Sequence, residues 1–178
     1  MSWSKPNWHA RHAGLWLDVI PRLLPDCPIR WLEIGSLEGR SAVWTLEHLL
    51  REGDELVCVD TWPHKPTEAA FDGNLAGRAT KHKGRSADYL ASDCGTFDAI
   101  YIDGSHDAPD VLTDAVLGWR HLRRGGLMIF DDYTWRHPAS EAGLVRPSVA
   151  IDGFLAAFAT RLSVLHIGEQ VIIRKRRQ

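Results

Sequence analysis

Apolar residues along this chain switch between two rhythms, a helical stripe and a short unbroken run, and the switches divide it into alternating helices and strands. Trp8, Leu15, Trp16, Val19, Ile20, Leu23 and Leu24 recur at helical spacing ahead of Pro25, which predicts a helix over 8–24. The run at 30–34 predicts a strand, 40–51 a helix closed by Gly53, and 55–60 a second strand. Residues 62–77 hold two prolines, two glycines and mixed polarity, and read as a long loop with at most one short helical turn. A brief strand at 81–84, a short helix at 86–92 and a strand rich in Ile and Tyr at 97–103 follow. Val111, Leu112, Ala115, Val116, Trp119 and Leu122 predict a helix over 107–122 that accommodates Pro109 in its first turn and stops at Gly125-Gly126. Residues 127–130 form a continuous apolar run, as a parallel strand covered on both faces requires. The segment 133–147 is irregular, 149–160 predicts a helix, and strands at 162–167 and 170–173 flank a turn at Gly168-Glu169.

Alternating strands and helices imply right-handed crossovers. The expected fold is α/β: a doubly wound, Rossmann-like, mostly parallel sheet of seven strands with an antiparallel C-terminal edge hairpin. One domain is expected over 1–178, a length at which folding buries roughly 70% of the surface of the extended chain. Trp16, Trp31, Trp44 and Trp119 lie on elements predicted to pack and are expected in the core. Trp62 and Trp135 fall in loops at the candidate ligand edge, where either would serve as an aromatic wall.

Composition narrows the partners. A formal net charge of −2 provides no long-range attraction to phosphate backbones, so nucleic acid is not expected, and the basic tail Arg174-Lys175-Arg176-Arg177 reads as a solvated strand end. Cys27, Cys58 and Cys94 are odd in number and lack metal-ligand spacing, which argues against a disulfide framework or zinc site and fits the cytoplasm. No apolar stretch approaches the roughly 20 residues of a membrane span, and the N-terminal segment lacks a signal-peptide core.

Three apolar runs end in acids and glycines: Glu33-Ile34-Gly35-Ser36-Leu37-Glu38-Gly39, Ile100-Tyr101-Ile102-Asp103-Gly104-Ser105-His106 and Met128-Ile129-Phe130-Asp131-Asp132-Tyr133. In doubly wound sheets ligands bind outside such strand ends. Gly35 and Gly39 permit a tight turn close to a ligand. Glu33 would repel a pyrophosphate and suits a positive group such as an amino acid's ammonium, while Asp60 at the next strand end is placed to accept from two ribose hydroxyls. This combination resembles the class I S-adenosylmethionine-dependent methyltransferases. The resemblance implies that Glu33, Gly35, Ser36 and Gly39 cradle the methionine part and Asp60 the ribose, that Asp103 falls where the same cofactor needs an acid, and that Ser86 and Ala87 meet the adenine.

Asp103, Asp131 and Asp132 are hard oxygen donors on two strand ends expected to be neighbours, a set that suits Mg²⁺. His106, three residues beyond Asp103, is placed to accept a proton near neutral pH. Here the resemblance narrows to metal-dependent O-methyltransferases: the catechol type has an acid, a basic residue three positions on and an acid followed by Asp or Asn, and the macrocin type, which looks closer, has an aspartate, a histidine three residues on and paired acids, as in Asp103-Gly104-Ser105-His106 and Asp131-Asp132. It implies a divalent cation at Asp103, Asp131 and Asp132, catalytic roles for His106 and Asp103, and methyl transfer to a hydroxyl of a sugar, polyol or catechol-like small molecule. Loops 62–77 and 135–147 are expected to form the acceptor pocket, and a homo-oligomer is compatible with the pattern. A Rossmann-type nicotinamide oxidoreductase is a rival, opposed by Glu33, by the missing Gly-x-Gly-x-x-Gly and by the acids after Phe130. A non-catalytic S-adenosylmethionine-binding protein is the other.

Overall fold

The structure is a computed structural model that describes residue 1, residues 3–136 and residues 146–177. Its strands are β1 (Arg30–Ile34), β2 (Glu55–Asp60), β3 (Thr80–Lys83), β4 (Phe97–Ile102), β5 (Leu122–Phe130), β6 (Leu162–Ile167) and β7 (Val171–Lys175). The helices are α1 (Ala13–Val19), α2 (Arg40–His48), α3 (Lys65–Leu75), α4 (Ser86–Ala91), α5 (Ala108–His121) and α6 (Pro147–Ala157). The sheet runs β3-β2-β1-β4-β5-β7-β6. Neighbours from β3 through β5 pair in parallel, and β7 pairs antiparallel with both β5 and β6, so the expected seven-stranded fold with its C-terminal hairpin is present.

Side chains two apart on a strand share a face, and both faces of this sheet are covered. Leu32, Ile34, Ile100, Ile102, Met128 and Phe130 pack with Trp119 and Phe154 of α5 and α6. Trp31, Ala99, Tyr101, Leu127 and Ile129 pack on the other side with Trp16 of α1 and Phe71 and Leu75 of α3. The chain leaves β1 in one direction toward β2 and β3, then returns to lay β4 on the opposite side of β1. The crevice at that reversal, outside the ends of β1 and β4, is the ligand position of doubly wound sheets.

Several elements differ from expectation. The N-terminal segment is a 3₁₀ turn at His9–Arg11 followed by the short α1. Pro21, which lacks an N–H to continue the ladder, ends it well before Pro25. Residues 62–77 contain an eleven-residue helix rather than a loop. Pro66 stands in its first turn, where no N–H partner is needed, Gly73 faces open space, and the chain leaves the helix through Ala76 in the left-handed conformation. Gly125-Gly126 lies inside β5 rather than before it, where the pairing jumps from Phe97↔Leu122 to Ala99↔Leu127. A side chain at 126 would sit 2.8 Å from the Asp98 carbonyl oxygen, so glycine lets this irregular stretch stay against β4.

Trp16, Trp31 and Trp119 are in the core as expected, whereas Trp44 is half-buried and stacks on His48. Trp62 is also a core residue, its Nε1 donating to the Leu37 carbonyl at 2.7 Å, and so is not an open aromatic wall. His137 and most of the expected acceptor loop 135–147 lie outside the described residues. No described helix is long and apolar enough to cross a membrane.

Candidate active site

Beyond β1 the chain turns at Gly35, whose φ is +88°. A side chain there would lie 2.0 Å from the Asp103 carbonyl oxygen, so the close neighbour is the end of β4. Gly39, with φ of +82°, caps α2, and a Cβ would meet Leu75 of α3 at 2.2 Å. Between them Leu37 takes the left-handed conformation and donates its N–H to Asp60 Oδ2 at 2.8 Å. The Trp62 N–H donates to Asp60 Oδ1 at 2.8 Å. Each Asp60 oxygen therefore holds one backbone N–H and keeps acceptor capacity, a fixed carboxylate suited to a diol.

Glu33 is fully buried on the same turn. Its Oε1 accepts from Ser41 Oγ at 3.1 Å, and its Oε2 has no partner. Burial pushes its carboxyl up to about 7; nearby Ser36 and Ser41 oppose the shift, although the Ser36 hydroxyl makes no hydrogen bond of normal geometry. An unbonded acid oxygen and an unbonded hydroxyl behind a glycine turn are what a bound ammonium or similar donor would satisfy. Ser86 and Ala87 are half-buried at the start of α4, whose preceding loop is joined to β2 by Gly84 N–H donating to Asp60 O at 2.9 Å. The Ser86 hydroxyl also faces buried Asp114, which burial raises to about 6.

At the ends of β4 and β5 the acids separate into two groups. Tyr101 points the same way as Asp103, and its hydroxyl reaches Asp103 Oδ2 at 2.9 Å and makes a short contact with Asp131 Oδ2. One phenolic hydrogen serves only one of these contacts, so the second needs a proton on a carboxyl. Burial first, then the Asp131 and Asp132 charges, raise the Asp103 carboxyl well above the usual carboxylate range. Asp131 is engaged on both oxygens, accepting the Asp132 N–H at 2.7 Å and Gln170 Nε2 at 3.1 Å besides Tyr101. Asp132, at φ of +58°, turns the other way and meets His106 Nε2 at 2.7 Å, a contact that raises the His106 pKa. Trp135 stacks on the His106 ring at 4.4 Å between centroids.

Asp103, His106 and Asp132 thus bring one donor atom each within 4.8 Å of the others. Asp131, expected in the cation site, is instead drawn toward Tyr101 and Gln170. His106 has two competing uses in this arrangement, as a ligand and as a proton acceptor. Tyr101 was legible as a site residue, since two positions before Asp103 on a strand places it on the same face. Gln170 carried no local signal. A cleft open to solvent lies over Gly35, Ser36, Tyr101 and Asp103, and the N-terminal segment contributes Lys5, Trp8 and His9 to its lining.

Comparison with known proteins fits this geometry. Residues 32–133, which span β1 through the acids after β5, match the family described as a methyltransferase domain. The chain belongs to that family. This methyltransferase domain is 30% identical over 115 residues to the O-methyltransferase hkm8 of Aspergillus hancockii, an alignment covering 63% of the chain and 46% of that relative. It therefore spans just under half the length of the relative. The O-methyltransferase from Bacillus cereus, solved with SAH, superposes with a TM-score of 0.71 at 18% identity, covering 94% of this chain and 81% of that one. TomG from Streptomyces achromogenes, an O-methyltransferase of tomaymycin synthesis solved with SAM, gives 0.68 at 18% identity, with 94% and 80% covered. At that identity these structures establish the class I methyltransferase fold.

The Glu33 carboxyl gives this methyltransferase domain a pH-dependent penalty. Between the ordinary glutamate value of 4.5 and about 7 the unfolded chain loses this proton while the folded one keeps it. The native state then binds more protons, so stability falls as pH rises, by about 3 kcal/mol in full. Glu33→Gln is expected to raise the melting temperature of the ligand-free domain at pH 8 and to leave it unchanged at pH 4. Equal gains at both pH values, in thermal unfolding, would show that ionisation of this carboxyl is not the cause.

Proposed function

We propose that this domain transfers a methyl group from S-adenosylmethionine to a hydroxyl of a small molecule, a sugar, polyol or catechol-like compound, with a divalent cation, Mg²⁺, at the acidic cluster. The observation that carries the reading is the convergence of Asp103, His106 and Asp132 at the sheet's reversal point, beside the Gly35 turn. The bound cofactor supplies an activated methyl on its sulfonium. A divalent cation at Asp103 and Asp132 would hold the acceptor oxygen and lower its pKa.

The chain's own residues then divide the work. Glu33, Ser36 and the Gly35 turn receive the amino acid end, and Asp60 the ribose. Asp103 surrenders its proton to serve as an oxygen ligand, a change helped by Tyr101, which can donate to either neighbouring carboxylate. Asp131, fixed by three donors, holds Tyr101 in place. His106, beside Asp132, accepts the acceptor's proton when its imidazole is neutral, and Trp135, stacked on its ring, forms the adjoining wall. Methyl transfer on this reading depends mainly on alignment of the two reactants. Cys27, Cys58 and Cys94 are free thiols, which supports a reducing compartment such as the cytoplasm on this reading.

Titration calorimetry with S-adenosylmethionine, in Mg²⁺ and again with chelator, tests the reading. Binding is expected in both conditions, followed by methylation of a catechol or sugar panel only with the metal. Absence of binding in both would overturn the cofactor assignment, and turnover unaffected by chelator would overturn the cation.

A further inference from the structure

The matched family region begins at residue 32, yet the cleft is also lined by residues ahead of it. Residues 3–8 form an arm fastened to the cofactor turn by the two residues that flank Gly39. Glu38 accepts from the Ser4 N–H at 2.9 Å, from the Ser4 hydroxyl and from the Lys5 N–H at 3.4 Å. Arg40 Nη2 donates to the Lys5 carbonyl at 2.8 Å, and its guanidinium lies 4.5 Å from the Trp3 ring centre. The Lys5 backbone is thereby held through both its N–H and its C=O. Its side chain is exposed in the cleft lining, and among the described residues its ammonium forms no ion pair or hydrogen bond.

His9 supplies a second, independent sign of an occupant. It is 7% exposed, lines the same cleft and packs against Trp16 and Trp44, yet among the described residues neither ring nitrogen has a hydrogen-bond partner. Burial lowers its pKa to about 4, so it stands there as a neutral polar ring. The arm and the turn that follows it therefore bring a basic and a polar group to the cleft. The sheet side brings Asp103 and Asp131 to the cleft, and Glu33 is near enough to act on the Asp103 charge. Opposed walls of opposite character suit a zwitterion, the ammonium toward the acids and the carboxylate toward the arm.

Resting on the cofactor reading above, we propose that the N-terminal arm completes the cofactor site and that Lys5 holds the α-carboxylate of S-adenosylmethionine. Glu38 and Arg40 line the cleft as well, but they act as positioning residues, Glu38 engaged by Ser4 and the Lys5 N–H and Arg40 by the Lys5 carbonyl and the Trp3 ring. The Lys5 ammonium supplies a charge-assisted contact to that carboxylate.

The test compares S-adenosylmethionine with its decarboxylated form, which keeps the adenosine, sulfonium and ammonium, by calorimetry on wild type, Lys5→Met and Lys5→Arg. Wild type is expected to bind the intact cofactor about tenfold more tightly than the decarboxylated form, the increment of one charge-assisted hydrogen bond. Lys5→Met is expected to lose that preference by weakening the intact cofactor alone, and Lys5→Arg to keep most of it. Lys5 is exposed, so neither change disturbs the core. The proposal is overturned if Lys5→Met weakens both ligands equally or affects neither. It is overturned also if wild type binds the two alike, with the cofactor reading intact. If wild type binds neither, the cofactor reading fails first.

Discussion

Alanine at position 35 is expected to destabilise the fold by more than about 3 kcal/mol and to abolish cofactor binding. The new Cβ would fall 2.0 Å from the Asp103 carbonyl oxygen and 2.5 Å from Gly104 Cα, both backbone atoms that no rotamer change can move. Relief requires β1 and β4 to part at the reversal point, where Asp103 N–H donates to the Ile34 carbonyl at 2.9 Å. The left-handed backbone adds about 1 kcal/mol for a residue with a side chain. Gly14→Ala is the matched control. It lies in α1 with nothing within 4 Å of the added methyl, and helix propensity favours it by up to about 1 kcal/mol. Thermal unfolding of the two variants should shift in opposite directions. A Gly35→Ala protein that melts with wild type would mean that the β1–β4 contact yields at little cost.

Asp132→Asn is expected to lower metal-dependent turnover by about 10²- to 10⁴-fold while S-adenosylmethionine affinity stays within about twofold. The amide keeps the size of the side chain, and asparagine tolerates the φ of +58° found here, so the fold has no reason to change. What is lost is the charge beside His106 Nε2 and one hard oxygen of the proposed cation site. Asp131→Asn makes the informative comparison. Its effect should come through Tyr101 and Gln170, as a looser Asp103, and should cost turnover less than Asp132→Asn. Steady-state kinetics across a Mg²⁺ titration separate the two, because only the Asp132 variant should need more metal for half-maximal rate. The reverse order would make Asp131 the ligand.

Much of this was legible in the chain because the signals are short-range. Continuous apolar runs gave β1, β4 and β5, and the acids and glycines directly after them marked the crevice. Position within an element was harder to read than composition: Pro66 and Gly77 bracket α3 rather than break it, and Pro21 acts before Pro25 does. The site was legible as a set of residue types but not as a geometry. Asp131 and Asp132 are adjacent, yet the left-handed backbone at Asp132 sends one carboxylate to Tyr101 and the other to His106. Nothing in a pair of aspartates announces that divergence. Lys5, His9 and Gln170 reach the site only through tertiary docking, so no local pattern pointed to them.

Asp131 also reveals when the site comes into being. Gln170, which donates to Asp131, accepts the Trp16 indole N–H at 2.7 Å through its other amide atom, across 154 positions of chain. The carboxylate that anchors Tyr101 is thus set by the first helix and the last hairpin together. However early the parallel strands pair, the Gln170 anchor on Asp131 cannot form until the hairpin that carries it has docked on β5.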